Sequence, residues 1–283
     1  ANLNIENLSD LRRTGKKLRN IILKTPLPQD LISEIEQAWI GISKSGKSLA
    51  VRSSATAEDL PDASFAGQQE TFLNIDGFDN LIAAIHKVYA SLFTDRAISY
   101  RKLRNFKGSL SISVGVQEMV RSDIGSSGVA FTLDTESGYR GSIFITSSYG
   151  LGEGIVQGTV NPDEFYVFKE ALAKNNFPII KKSLGEKAKK MIFADNNLPG
   201  KSVKYVRVPK KEAKEYSLTN NEIIELANYA KTIEDHYKVP MDIEWARDGR
   251  DKKIYILQAR PETVQSKISN YFERYTLKEK GEL

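Results

Sequence analysis

The chain has 283 residues, 40% of them hydrophobic, with 41 basic against 36 acidic side chains and a formal charge of +5. That size and apolar fraction suit an ordinary soluble protein with a large core, as one bilobal unit or two domains. No apolar run approaches the ~20 residues that span a bilayer, Ala1 to Asp10 lack a secretory signal, and the absence of cysteine removes disulfide and thiolate-metal chemistry, so the reading is cytoplasmic.

The first predicted helix carries Leu8, Leu11, Leu18, Ile21 and Ile22 on one face and ends at Pro26 and Pro28. A second begins near Gln29, with Leu31, Ile32, Ile35, Trp39 and Ile42 at three- and four-residue spacing. Residues 79 to 105 read as one further helical region. Strands follow at Ser111 to Val120, Gly128 to Leu133, Ser142 to Thr146 and Phe165 to Phe168. Residues 170 to 201, rich in lysine and asparagine, read as a surface excursion with one amphipathic strand, and Val203 to Val208 as another strand. Thr219 with Glu222 forms a capping box for a helix that runs to Lys238 before Pro240. Met241 to Ala246 and Ile254 to Arg260 then form a hairpin around Asp248-Gly249.

The chemistry concentrates in two places. An apolar segment delivers Arg52 to a hydroxyl-, glycine- and amide-rich stretch, Ser53 to Thr71. Arginine offers a planar fork of donors for phosphate, and Gly67 lets backbone N–H groups approach an anion. A solvated surface loop is the plain alternative. In the hairpin, alternation puts Asp242 and Glu244 on one face and Gln258 and Arg260 on one face, so coincident faces would gather a carboxylate, an amide oxygen and a guanidinium. Mg²⁺ takes hard oxygen ligands and keeps room for nucleotide phosphates, a role Glu244 and Gln258 fit. The basic stretch Lys181 to Lys214 suits anions such as nucleotides but lacks the interleaved aromatics of a nucleic-acid binder. The turn Gly150-Leu151-Gly152-Glu153-Gly154 lacks the ending of a phosphate loop and reads as structural.

The run Ala50 to Pro61 with Ala63 to Thr71 resembles the signature of the ATP-binding domain shared by phosphoenolpyruvate synthase, rifampicin phosphotransferase and the glucan water dikinases. Further matches follow in order: Val116 to Val120, Ser127 to Thr132, Gly150 to Glu153, Asn161-Pro162-Asp163, Asp242 to Ala246 and Gln258 to Thr263. Phe65-Ala66-Gly67-Gln68-Gln69 favours the synthase branch over pyruvate phosphate dikinase, whose loop is methionine-rich. The resemblance implies an α+β, ATP-grasp type nucleotide-binding domain over residues 1–264, with two lobes and the nucleotide between them, and a linker over 265–283. It implies ATP and Mg²⁺ as ligands, Arg52 and Arg260 on the transferring phosphates, and Gly67 and Thr71 touching the phosphates. Thr71 reads equally as an ordinary strand-edge residue. The resemblance also implies that Gln117, Glu118 and Val120 form a hinge under the adenine, and that Glu244 and Gln258 hold the metal.

In the family, ATP donates its β-phosphoryl group to a histidine on a swivelling domain, and the resemblance to the synthase branch implies pyruvate as the final acceptor. Neither His86 nor His236 sits in the matching motif, so the carrier lies on a separate domain. Complete relatives begin with a glycine-lysine segment that reaches the phosphates. Ala1 in place of methionine reads as a truncated or processed fragment, for which weaker ATP binding is expected. Rifampicin or a glucan as acceptor, and a nucleotide-binding module that transfers nothing, stay open; nucleic-acid and membrane partners are not expected.

Overall fold

The computed structural model describes residues 7–55, 59–60, 63–64, 70–103, 111–174, 176–196 and 198–267. Helix α1 (Leu8–Lys24) starts at Asn7, whose side chain accepts from the N–H groups of Ser9 and Asp10. Of its expected apolar face only Leu11 is buried, while Leu8 and Ile21 stay exposed. The contact is made one turn along, at Gly15, where any side chain would meet the Phe93 carbonyl. Helix α2 (Gln29–Ser43) packs Ile35, Trp39 and Ile42 against the same core.

Strand β1 (Leu49–Ala55), the short pair β2 (Asp59–Leu60) and β3 (Ala63–Ser64), and β4 (Phe72–Ile75) come next. The helical region expected over 79 to 105 holds two helices, α3 (Phe78–Ser91) and α4 (Asp95–Leu103). Thr94 breaks the run because its hydroxyl accepts from the Ala97 N–H and restarts the helix. Strand β5 (Ile112–Glu118) completes an antiparallel sheet of order β4-β1-β5. Leu49 and Val51 point into a core with Phe72, Ile75, Leu81, Ile85 and Val88, so alternation turns Ala50 and Arg52 to the opposite face.

A second sheet, antiparallel throughout, is built from β6 (Ser126–Phe131), β7 (Ser142–Tyr149), β8 (Asp163–Phe168) and β9 (Ile179–Ser183), with β12 (Met241–Arg247) and β13 (Ile254–Pro261) on its other side. Its order is β13-β12-β6-β7-β8-β9. Short helices α5 (Glu153–Val156), α6 (Lys169–Ala173) and α7 (Lys210–Ala213), and the hairpin β10 (Lys189–Phe193) with β11 (Val203–Arg207), fill the connections. Residues 170 to 201 are therefore no surface excursion with one strand. They supply β9 and β10, and they bury Lys187 completely beside Asp163. An ammonium in a lysine-rich segment goes inside only where a carboxylate meets it.

Helix α8 (Asn220–Tyr237) covers one face of the larger sheet with Ile223, Leu226, Ala227 and Ala230, against Ile143, Ile145, Phe165, Ile243 and Trp245. Its capping box is present: Thr219 Oγ1 accepts from the Glu222 N–H and the Glu222 carboxylate accepts from the Thr219 N–H. Thr219→Ala is expected to cost about 1 kcal/mol, read as a fall of a few degrees in Tm. An unchanged Tm would show that α8 is held by its packed face alone. No helix among the described residues is long and apolar enough to cross a membrane.

Candidate functional site

The face of the smaller sheet that carries Ala50 and Arg52 looks across a cleft at β12. The cleft spans about 870 Å³ including the solvent at its open mouth. Arg52, Thr71, Gln117, Glu118, Val120 and Glu244 all line it. The segments that supply them lie far apart in sequence and meet because two antiparallel sheets present alternate residues to one another.

One end is polar. Arg52 Nη2 lies 3.8 Å from Glu244 Oε2, both side chains about a third exposed or less. Beside them Arg260 donates through Nε (2.9 Å) and Nη2 (2.7 Å) to a single oxygen of Asp242. This pairing holds the guanidinium in one orientation. Glu244 and Gln258 are cross-strand partners, and Gln258 Oε1 is buried with no hydrogen-bond partner among the described residues. A buried amide oxygen without a donor is costly, and a cation would satisfy it.

A β-bulge produces that pairing. Gln258 is in register with Glu244 while Ile256 pairs with Trp245, so Leu257 is an extra residue. Ile254, Ile256 and Ala259 therefore pack with the α8 core, whereas Leu257 lines the cleft and Gln258 and Arg260 align with Glu244 and Asp242. Unbroken alternation would put Gln258 on the face of Ile254 and Ile256.

The other end is apolar, formed by Ala50, Leu73, Met119 and Leu151. Met191, Phe193 and Val203 of the β10–β11 hairpin pack behind it. The Leu151 N–H donates to the Met191 carbonyl at 2.9 Å, and Gly150 has φ +88° with the Met191 carbonyl where a Cβ would sit. The turn at 150 to 154 thus serves this wall, and a short helix, α5, does follow it. Met119 donates its N–H to the Ser48 carbonyl, and Gln117 to Val120 all line the cleft. The Glu118 side chain turns away to Lys47, at 3.2 Å; hydrogen bonds from Ser45 and Lys47 hold its carboxyl below the usual range.

Gln258 and Arg260 stand on the strand next to the lining rather than among it, and Gly67 lies outside the described residues. Sequence reasoning placed Asp242 on the right face but overlooked it as the partner of Arg260; alternation was the available signal. Glu153, read as structural, lines the cleft, and burial raises its carboxyl against a hydrogen bond from Gln157 that lowers it. The apolar end had no local signature, because its four residues come from four segments. Neither histidine lines the cleft: His86 has its ring nitrogens 3.1 Å from the carbonyls of Ile82 and Thr25, and His236 packs edge-on against Tyr237.

The family described as pyruvate phosphate dikinase, AMP/ATP-binding domain, matches residues 1–280. Among curated proteins, the chain is 59% identical over 271 residues to phosphoenolpyruvate synthase of Neisseria meningitidis serogroup B, covering 94% of this chain and 34% of that protein. It is 54% identical over 283 residues to phosphoenolpyruvate synthase of Pseudomonas aeruginosa, with 99% and 36% covered. It is 51% identical over 282 residues to that of Escherichia coli, again with 99% and 36% covered. The chain spans about a third of the length of these relatives.

Proposed function

This chain belongs to the pyruvate phosphate dikinase AMP/ATP-binding domain family, and from that membership we propose that it binds ATP with Mg²⁺ in the cleft. In this proposal residues 1–264 are a two-lobed domain of ATP-grasp type and 265–283 lead on as a linker. The adenine enters the apolar end, where the main chain of Gln117 to Val120 reads its edge. The triphosphate runs to the polar end, toward Arg52, Gly67, Thr71 and Arg260. The supporting observation is the pair formed by the Glu244 carboxylate and the partnerless Gln258 Oε1, facing Arg52. These are two hard oxygens on adjacent strands, so the residues fit Mg²⁺. When bound, the metal would neutralise and orient the phosphates. Arg52 and Arg260 then donate to phosphate oxygens, and Asp242 keeps Arg260 aimed.

For the longer protein we propose the phosphoenolpyruvate synthase reaction. A histidine nitrogen on a separate domain attacks the β-phosphorus, the bond to the α-phosphate oxygen breaks, and AMP leaves. Water releases inorganic phosphate, and pyruvate accepts the remaining phosphoryl group. ATP, pyruvate and water thus become AMP, phosphoenolpyruvate and phosphate. The name shared by the relatives favours pyruvate over rifampicin or a glucan.

Calorimetric titration tests the site. ATP affinity is expected to be stronger with Mg²⁺ than with EDTA, and Gln258→Leu to lose about tenfold with Mg²⁺ and nothing in EDTA. Tight binding indifferent to Mg²⁺ would remove the metal assignment.

A further inference from the structure

The β10–β11 hairpin backs the apolar end of the cleft, yet it belongs to neither large sheet. Its attachment to the cleft wall is specific. Leu49 pairs with Ile75 and Val51 with Phe72, so Leu73 and Asn74 stand together opposite Ala50 in a β-bulge. Both Leu73 and Ala50 line the cleft. Asn74 takes the left-handed conformation at φ +54°, which asparagine tolerates better than most residues. Its side chain is 8% exposed, and Nδ2 donates to the Ser202 carbonyl at 3.0 Å. In return Ser202 Oγ donates to the Leu73 carbonyl at 2.6 Å. Lys87 adds a third tie, from Nζ to the Pro199 carbonyl at 2.6 Å.

We propose that Asn74 and Ser202 form a latch that positions the β10–β11 hairpin behind the base pocket, making Asn74 a positioning residue for the nucleotide base. The bulge explains why the latch is placed there. A regular strand would put one residue opposite Ala50, whereas the extra residue lets Leu73 face the cleft while Asn74 reaches the hairpin. Met191, Phe193 and Val203 support Met119, Leu151 and Leu73 only if the hairpin stays seated, and the reciprocal bonds hold it from both chains. The latch bonds join Asn74, Ser202 and Leu73, on the apolar side of the cleft, so its influence falls on the base side. This inference rests on the nucleotide reading of the cleft.

The test uses this chain with Asn74→Gly, which accepts the left-handed conformation and removes the amide-bearing side chain, and with Ser202→Ala. Binding of ATP and of inorganic tripolyphosphate is measured with Mg²⁺ for each. Asn74→Gly is expected to weaken ATP about tenfold and leave tripolyphosphate unchanged, because only the base wall loosens. Amide hydrogen exchange at Met191 to Phe193 is expected to quicken in the same variant. Combining the two substitutions is expected to add little to either alone, since they open one latch. Wild type that binds ATP together with Asn74→Gly that binds it equally well overturns the latch alone, as does unchanged exchange in the hairpin. Wild type that binds neither ligand overturns the nucleotide reading, and the latch as a base-positioning device with it.

Discussion

Arg260→Ala in the full-length protein is expected to slow formation of AMP from ATP by about 10²–10³, while the Kd for ATP rises less than tenfold. The asymmetry follows from geometry. Arg260 is held by two donor contacts to one oxygen of Asp242, on the strand next to the cleft lining. In the proposed mechanism a guanidinium held in that way gains more from the charge that develops during transfer than from the ground-state phosphates. Arg260→Lys keeps the charge but loses the planar fork, and an intermediate rate is expected. Asp242→Asn is expected to slow the reaction less than Arg260→Ala, because the guanidinium loses the charge of one partner but is not removed. The measurement is single-turnover AMP release beside equilibrium ATP binding. Equal losses in rate and affinity would mean that Arg260 serves binding alone, and an unchanged rate would remove it from the chemistry.

Lys187→Met is expected to destabilise the chain by about 3–5 kcal/mol, a drop on the order of 10 °C in Tm. Lys187 and Asp163 are both fully buried and ion-paired. Asp163 also accepts from the Gly185 N–H at 2.9 Å and from the Ser217 N–H and hydroxyl at 2.8 and 2.7 Å. The carboxylate thereby joins β8, the segment before β10 and the entry to α8. Removing the ammonium leaves a buried negative charge facing only neutral donors. Adding Asp163→Leu to Lys187→Met is expected to recover part of the loss, since it deletes the charge but strands the N–H groups of Gly185 and Ser217. Thermal unfolding of the three proteins checks this. A Tm within about 2 °C of wild type for Lys187→Met would show that other donors suffice for the carboxylate.

Where local chemistry sets local structure, the chain was legible. Thr219 starts its helix with its own side chain, and the hairpin of β12 and β13 follows from alternation around Asp248-Gly249. Misreadings fell where distant groups change the outcome. The lysines of 170 to 201 looked solvated because no nearby residue announced the carboxylate waiting at Asp163. α1 carries leucines and isoleucines on one face, yet of these only Leu11 is buried, and Gly15 joins it against the Phe93 carbonyl.

The cleft divides along the same line. Residue types and spacing were enough to single out Arg52, Glu244, Gln258 and Arg260 as candidates and to put Asp242 and Glu244 on one face, because a strand's period of two is a local property of its backbone. The two β-bulges were not legible. Each needs the partner strand to reveal its extra residue, and each decides which way a side chain faces: Gln258 toward Glu244 rather than the α8 core, Asn74 toward Ser202 while Leu73 faces the cleft. The apolar end likewise exists only once Ala50, Leu73, Met119 and Leu151 are brought together, since burial of apolar surface is a sum over neighbours in space and carries no local pattern along the chain.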